Sequence, residues 1–370
     1  MKVKNSRNAF IELFRFLAAV SIVAYHYEFV YKGKSIYLQH FYIWVEFFFI
    51  LSGFFIAANA MKKSEIDSID FMINEFKKLY PIYVIGFCIS FIVYHMTGAG
   101  EFKHILASLW DSKNELFLLN MFVPDTGNPI MNLGGPPQYI GTLLLCTLIL
   151  HFLVTKHRNI YVAVIGPLAV IIGYLHIYNL YGNISQWMAY NGFLYVGIIR
   201  GFAGMSLGAL AYLVLLPRMK NVNCNTRKAI LLGILVFISF LILFDECIKY
   251  EDLIFYVLIF CVLIVVGYID DFNIDAKYKA FINMLGKLSY PMFVLHYPIL
   301  KVIATYFPNK GYWGMLLLCE SVVLICSALL QFGVLKNFSM IDYYGAAEPP
   351  VRCGVSHLSG LTEPLLEIVI

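Results

Sequence analysis

Four charged or titratable side chains inside otherwise hydrocarbon-rich stretches have types that could do chemistry. Arg15 and His26 share "FIELFRFLAAVSIVAYHYEF" (residues 10–29). Glu46 is the acid of "FYIWVEFFFILSGFFIAANA" (41–60), and Arg200 interrupts "GIIRGFAGMSLGALAY" (197–212). A charge inside a bilayer is costly, so such groups face a bundle interior or a pathway. On a helix, at about 100° per residue, Arg15 and His26 return to within about 20° of one face, about 16 Å apart along the axis. If these stretches form an antiparallel hairpin around residues 31–40, His26 and Glu46 fall at equal depth. A carboxylate beside an imidazole fixes its tautomer and raises its basicity, as a base removing a hydroxyl proton requires. The competing explanation is a histidine that serves only as a structural hydrogen-bonding group.

The elements that position these groups follow from composition. The 370 residues are 60% hydrophobic and 14% charged, with a mean hydropathy of +0.75. Soluble domains carry about 25% charged residues, so the sequence describes a polytopic membrane protein, an all-α helix bundle. A spanning helix needs about 20 apolar residues. Ten segments qualify: 9–30, 41–60, 79–98, 137–155, 159–178, 193–216, 229–244, 252–268, 288–308 and 312–335. With the N-terminus inside, most Lys and Arg fall on inner connections, such as Lys62, Lys63, Lys77, Lys78, Lys156, Arg158, Arg218 and Lys220. The positive-inside rule then expects both termini in the cytoplasm. The first segment is too long for a signal-peptide core and is interrupted by Arg15, so it is expected to be retained.

The net charge of +4 is no nucleic-acid footprint, and the eight Cys show no metal-binding or disulfide spacing. No metal is expected. The longest outer connection, 99–136, holds "FVPDTGNPIMNLGGPPQY", whose Pro and Gly exclude a continuous helix. It is expected to cap the outer face or line an outward cavity. The tail from 336 onward lacks a long apolar run and is expected to form a short cytoplasmic extension, with no assigned role.

Two further groups are candidates beside Arg200. Ser52 and Gly53, in "LSGF" (51–54), permit close helix approach. Lys77 and Lys78, in "FKKLYPIY" (76–83), sit where a soluble anion would meet the membrane, although ordinary loop cations also sit there. Arg200, about a third of the way into its span, needs a partner or water.

Together, "IELFRFLAAVSIVAYHY", "WVEFFFILSGFFI", "KKLYPIY", "PPQYIGTLLL" (136–145) and "LGKLSYPMFVLHYPIL" (285–300) resemble the membrane-bound acyltransferase-3 family over about residues 8–335. The resemblance implies His26 as catalytic base, Glu46 as its acidic companion and Arg15 as an essential cation. It also implies that Ser52, Gly53, Lys77 and Lys78 serve the donor, and Tyr139, Arg200 and His296 the acceptor. Lys78 stands where the family has Arg, Asn74 and Glu75 occupy the upstream basic position, and Gln138 replaces a Trp while Tyr139 is kept. The implied donor is acyl-CoA, with acetyl as the usual acyl group. The implied acceptor is a hydroxyl of a cell-surface or secreted carbohydrate, met by a stand-alone enzyme in a bacterial cytoplasmic membrane. Transfer would be direct or through an acyl-histidine. The rival class is a transporter, which would favour broken helices and paired repeats; neither is evident. A purely structural or sensing protein fits poorly with three such groups on one hairpin.

Overall fold

The computed structural model describes residues 8–97, 105–122, 136–186, 189–191, 194–243, 253–269, 274–307 and 311–334. The expected tail lies outside them. In chain order the helices are α1 (Ala9–Lys32), α2 (Trp44–Lys62), α3 (Ser68–Met96), α4 (Ile105–Asp111), α5 (Lys113–Leu116) and α6 (Pro136–Lys156). They continue as α7 (Arg158–Tyr181), α8 (Val196–Lys220), α9 (Cys224–Leu243), α10 (Leu253–Ile269), α11 (Ala276–Tyr306) and α12 (Tyr312–Gly333). A two-residue hairpin, Tyr190–Asn191 against Leu194–Tyr195, precedes α8. The chain is an all-α bundle in which α1, α2, α3, α6, α7, α8 and α12 are long and apolar enough to cross a membrane. Helices α9, α10 and α11 occupy the other three expected segments without being among those seven.

Local chemistry sets the ends of the site-bearing helices. The Asn8 side chain accepts from the Ile11 amide, satisfying a free donor at the start of α1. Gly33 closes the helix in the left-handed conformation (φ 70°). Asp67 caps α3 and Asp275 caps α11 in the same way as Asn8. Beyond α1, the connection 33–40 is organised by one buried carboxylate, Glu28. It accepts from the Ser35 and Tyr312 hydroxyls and from the amides of Ile36, Tyr37 and Leu38. Those donors satisfy a charge that is fully buried.

Helix α2 is the buried centre, packed on α8 and α6, while α1 packs along α11. Contact between α2 and α8 is backbone to backbone. A Cβ at Gly53 would overlap the Met205 carbonyl, and one at Gly208 the Ile50 carbonyl. Small residues at helix crossings in membranes allow this approach. Helix α10 presents Phe260, Leu263, Ile264, Val265 and Val266 to the main core, with Phe260 against Trp44 at 5.1 Å between ring centroids.

The described part of the outer connection, 105–122, folds back along α3. The Tyr80 hydroxyl donates to the Leu116 carbonyl (3.1 Å), and the Tyr83 hydroxyl to that of Glu115. This segment packs against the middle of α3 and, through Leu118 and Met121, against α6 beside Gly141. Residues 98–104 and 123–135 lie outside the described part.

Candidate functional site

Two cavities with shared wall residues lie inside the bundle. The first, about 200 Å³, is lined by Arg15, Ser52, Asn59, Glu75, Lys78, Tyr139, Ser289, Tyr290 and Phe293 among others. The second, about 70 Å³, is lined by His26, Tyr25, Tyr42, Gln138, Tyr139, Thr142, Tyr195, Arg200 and Phe293. Tyr139 and Phe293 line both. Arg15 and His26, which their spacing places on one face of α1, line different chambers and not one shared groove.

In the first chamber Arg15 donates through Nη1 to Glu12 at 2.8 Å, and Glu12 is fully buried. Lys78 pairs with Glu75 one turn before it. Ser52 lies beside the Tyr139 hydroxyl on the chamber wall. Gly53 instead faces α8, and Lys77 is exposed and does not line the chamber. Of the four residues expected to serve the donor, two are therefore positioned in this cavity.

In the second chamber His26 Nδ1 lies 2.9 Å from the Ile22 carbonyl. A carbonyl only accepts, so Nδ1 carries the proton and Nε2 is left as the ring's proton-accepting atom. His296 repeats this arrangement, its Nδ1 donating to the Phe293 carbonyl at 2.8 Å. Its Nε2 is buried and has no hydrogen-bond partner among the described residues. The two rings sit 4.7 Å apart between centroids. Residues 270 positions apart in sequence thus meet ring to ring, but only His26 lines the chamber; His296, expected to serve the acceptor, is buried behind it and lines neither cavity.

The expected contact between His26 and Glu46 is corrected by the structure. Glu46 accepts from Arg200 Nε through one oxygen and from the Tyr174 hydroxyl, at 2.6 Å, through the other. The reason is an offset in the hairpin. Helix α1 runs on to Lys32, and α2 begins only after a 3-10 turn at Phe41–Ile43. Tyr42 then meets Tyr25, with ring centroids 6.1 Å apart. Glu46 falls a turn further along α2, facing α7 and α8.

Arg200 is 3% exposed. Its Nη1 donates to the Ser185 carbonyl at 3.1 Å, and its Nη2 has no partner among the described residues. Glu46, itself held by Tyr174, therefore holds a guanidinium on the wall of the second chamber, with one buried donor left unpaired among the described residues. Sequence reasoning missed Tyr174 and Phe293, which look like ordinary span aromatics, and Glu28, which stands two residues after His26. Only the last carried a signal, as an acid in an apolar run. Among the described residues, no group of three or more His, Cys, Asp or Glu is placed to hold a metal.

This arrangement offers a buried cation and one imidazole base in the second chamber and further cations in the first, between apolar walls. That equipment suits transfer of a group from a ligand entering one chamber to a nucleophile entering the other. No curated protein and no solved structure matches the chain. A family model for an acyltransferase domain matches residues 8–332, so the chain belongs to the acyltransferase-3 family of membrane acyltransferases.

Proposed function

We propose that this protein moves a short acyl group, acetyl in the first instance, from acyl-CoA to a hydroxyl of a cell-envelope or secreted carbohydrate. The membrane it spans is then the bacterial cytoplasmic membrane, with the Arg15 chamber opening to the cytoplasm and the His26 chamber to the outside. The observation that carries this reading is the pair of chambers meeting at Tyr139 and Phe293, one with Arg15 and Lys78, the other with His26 and Arg200. The pantetheine arm enters the first chamber, where Arg15 and Lys78 attract the phosphates of CoA at its mouth. The acceptor hydroxyl enters the second, where tyrosines and Gln138 offer stacking faces and hydrogen bonds suited to a sugar.

In the reaction the hydroxyl proton passes to His26 Nε2 as the hydroxyl oxygen attacks the thioester carbon. The C–O bond forms, the C–S bond breaks, and CoA leaves as a thiolate that takes up a proton. The His296 ring adjoins His26 and supplies a second base that can share the proton. The Arg200 Nη2 donor stabilises negative charge on the carbonyl oxygen or orients the acceptor. Glu46 acts through Arg200, as a positioning residue. An attack by His26 Nε2 itself, giving a transient acyl-imidazole, uses the same atoms.

The test is to supply isotopically labelled acetyl-CoA to membranes that contain the protein, following free CoA and labelled envelope carbohydrate. Label is expected in an alkali-labile ester on carbohydrate, only where the protein is present. Uptake of unmodified carbohydrate without CoA release would favour transport and contradict this reading.

A further inference from the structure

The two chambers share part of their walls. Phe293 and Tyr139 line both, with ring centroids 5.1 Å apart and planes at 64°. Phe49, on the wall of the second chamber, backs Tyr139 at 4.6 Å. Three rings from α2, α6 and α11 therefore meet where the chambers touch. Phe293 is only 7% exposed, and its carbonyl anchors His296 Nδ1, so its place along α11 is tied to the histidine pair.

The reacting carbon must lie where a thiol held on one side and a hydroxyl held on the other can both reach it. That point is the ring septum. Whatever hangs from the carbon must fit between the rings or in the second chamber. At about 70 Å³ that chamber is the smaller of the two, and the acceptor hydroxyl claims part of it. A two-carbon acyl group fits this space. Each further methylene must displace Phe293 or Tyr139, both wedged by neighbouring rings.

We infer that Phe293 and Tyr139 form an aromatic septum that sets acyl-chain length, passing acetyl and excluding chains of four carbons or more. This inference rests on the acyl-CoA reading above and adds to it the residues that choose the donor. No covalent step changes; only the space around the thioester carbon does.

The test compares acetyl-CoA, butyryl-CoA and hexanoyl-CoA as donors, read as CoA thiol released by membranes holding the endogenous acceptor. One methylene in a fitted apolar pocket discriminates by roughly 10–200-fold. The wild-type protein should therefore prefer acetyl over butyryl by at least about tenfold in kcat/KM. Phe293→Ala should shrink that preference at least about tenfold, chiefly by a gain with the longer donors. Phe293→Leu, a smaller perturbation of packing, should shift it in the same direction, and Phe293→Tyr, which keeps the ring, should not shift it. Equal use of hexanoyl-CoA and acetyl-CoA by the wild type would overturn the inference. So would an unchanged preference in Phe293→Leu that still behaves as a monodisperse protein in detergent. In both cases the acyltransferase reading would stand. No CoA release from any donor above control membranes would overturn that reading, and the septum with it.

Discussion

Replacing Glu46 by Gln keeps the shape of the side chain but leaves the Arg200 guanidinium without its counter-charge in the bundle. Both groups are essentially buried, Glu46 at 0% and Arg200 at 3% exposure. Two unit charges in hydrogen-bonding contact at about 3 Å attract by about 5 kcal/mol at an effective dielectric of about 20. Their joint desolvation costs several kcal/mol per ion, so the intact pair contributes little net stability. Removing one partner of such a pair costs about 3–5 kcal/mol. Glu46→Gln and Arg200→Met should each lower stability by that order, and the double variant should recover most of the loss. The expected coupling is at least about 2 kcal/mol. The assay is thermal loss of the monodisperse peak in detergent, for the four proteins of the cycle. Activity gives a second readout. Since Glu46 touches Arg200 and not His26, Glu46→Gln should lower the rate without moving the pH profile that His26 sets. Additive stability losses, or a shifted pH profile, would refute the Glu46–Arg200 assignment and restore the His26–Glu46 pair.

Arg15→Ala should abolish or sharply reduce transfer, and Arg15→Lys should not fully restore it, because Lys keeps the charge facing Glu12 but lacks the planar fork; activity per unit of protein in membranes measures both. Gly208→Ala should destabilise the protein by more than about 1–3 kcal/mol, since its Cβ would overlap the Ile50 carbonyl and the α2 backbone cannot yield as a side chain can. Gly233→Ala, on α9 with open space around it, is the matched control and should be neutral or stabilising by up to about 1 kcal/mol in the same thermal assay.

Much of the scaffold was legible because it is written as hydrophobic length. Runs of about 20 apolar residues define helices whatever surrounds them, and the helices appear at the expected segments. The eleven-residue step from Arg15 to His26 also read correctly, since helical periodicity alone places both on one stripe. Depth matching across the 31–40 connection failed, because it assumed a symmetric hairpin. The real one is skewed by a long α1, the Glu28-centred loop and a 3-10 entry to α2. The error was small in residues, but it was enough to move Glu46 from His26 to Arg200. Likewise, "LSGF" contains two neighbours with different tasks: Ser52 faces the first chamber and Gly53 the α8 backbone, because adjacent helical positions point about 100° apart. The His26–His296 contact joins residues 270 positions apart in sequence. No local pattern carries such information; only the α1–α11 packing does.

The most direct measurement of the central claim is the rate of acyl transfer from acetyl-CoA by His26→Ala, normalised to the amount of protein and compared with wild type. General base catalysis contributes roughly 10²–10⁴-fold, and His26 Nε2 is the proton acceptor that the geometry offers to the second chamber. The expected result is a loss of at least about 100-fold, in a variant whose elution and thermal midpoint match the wild type. Wild-type activity in that variant would contradict His26 as the base, and with it the path from the Arg15 chamber to the His26 chamber on which this mechanism rests.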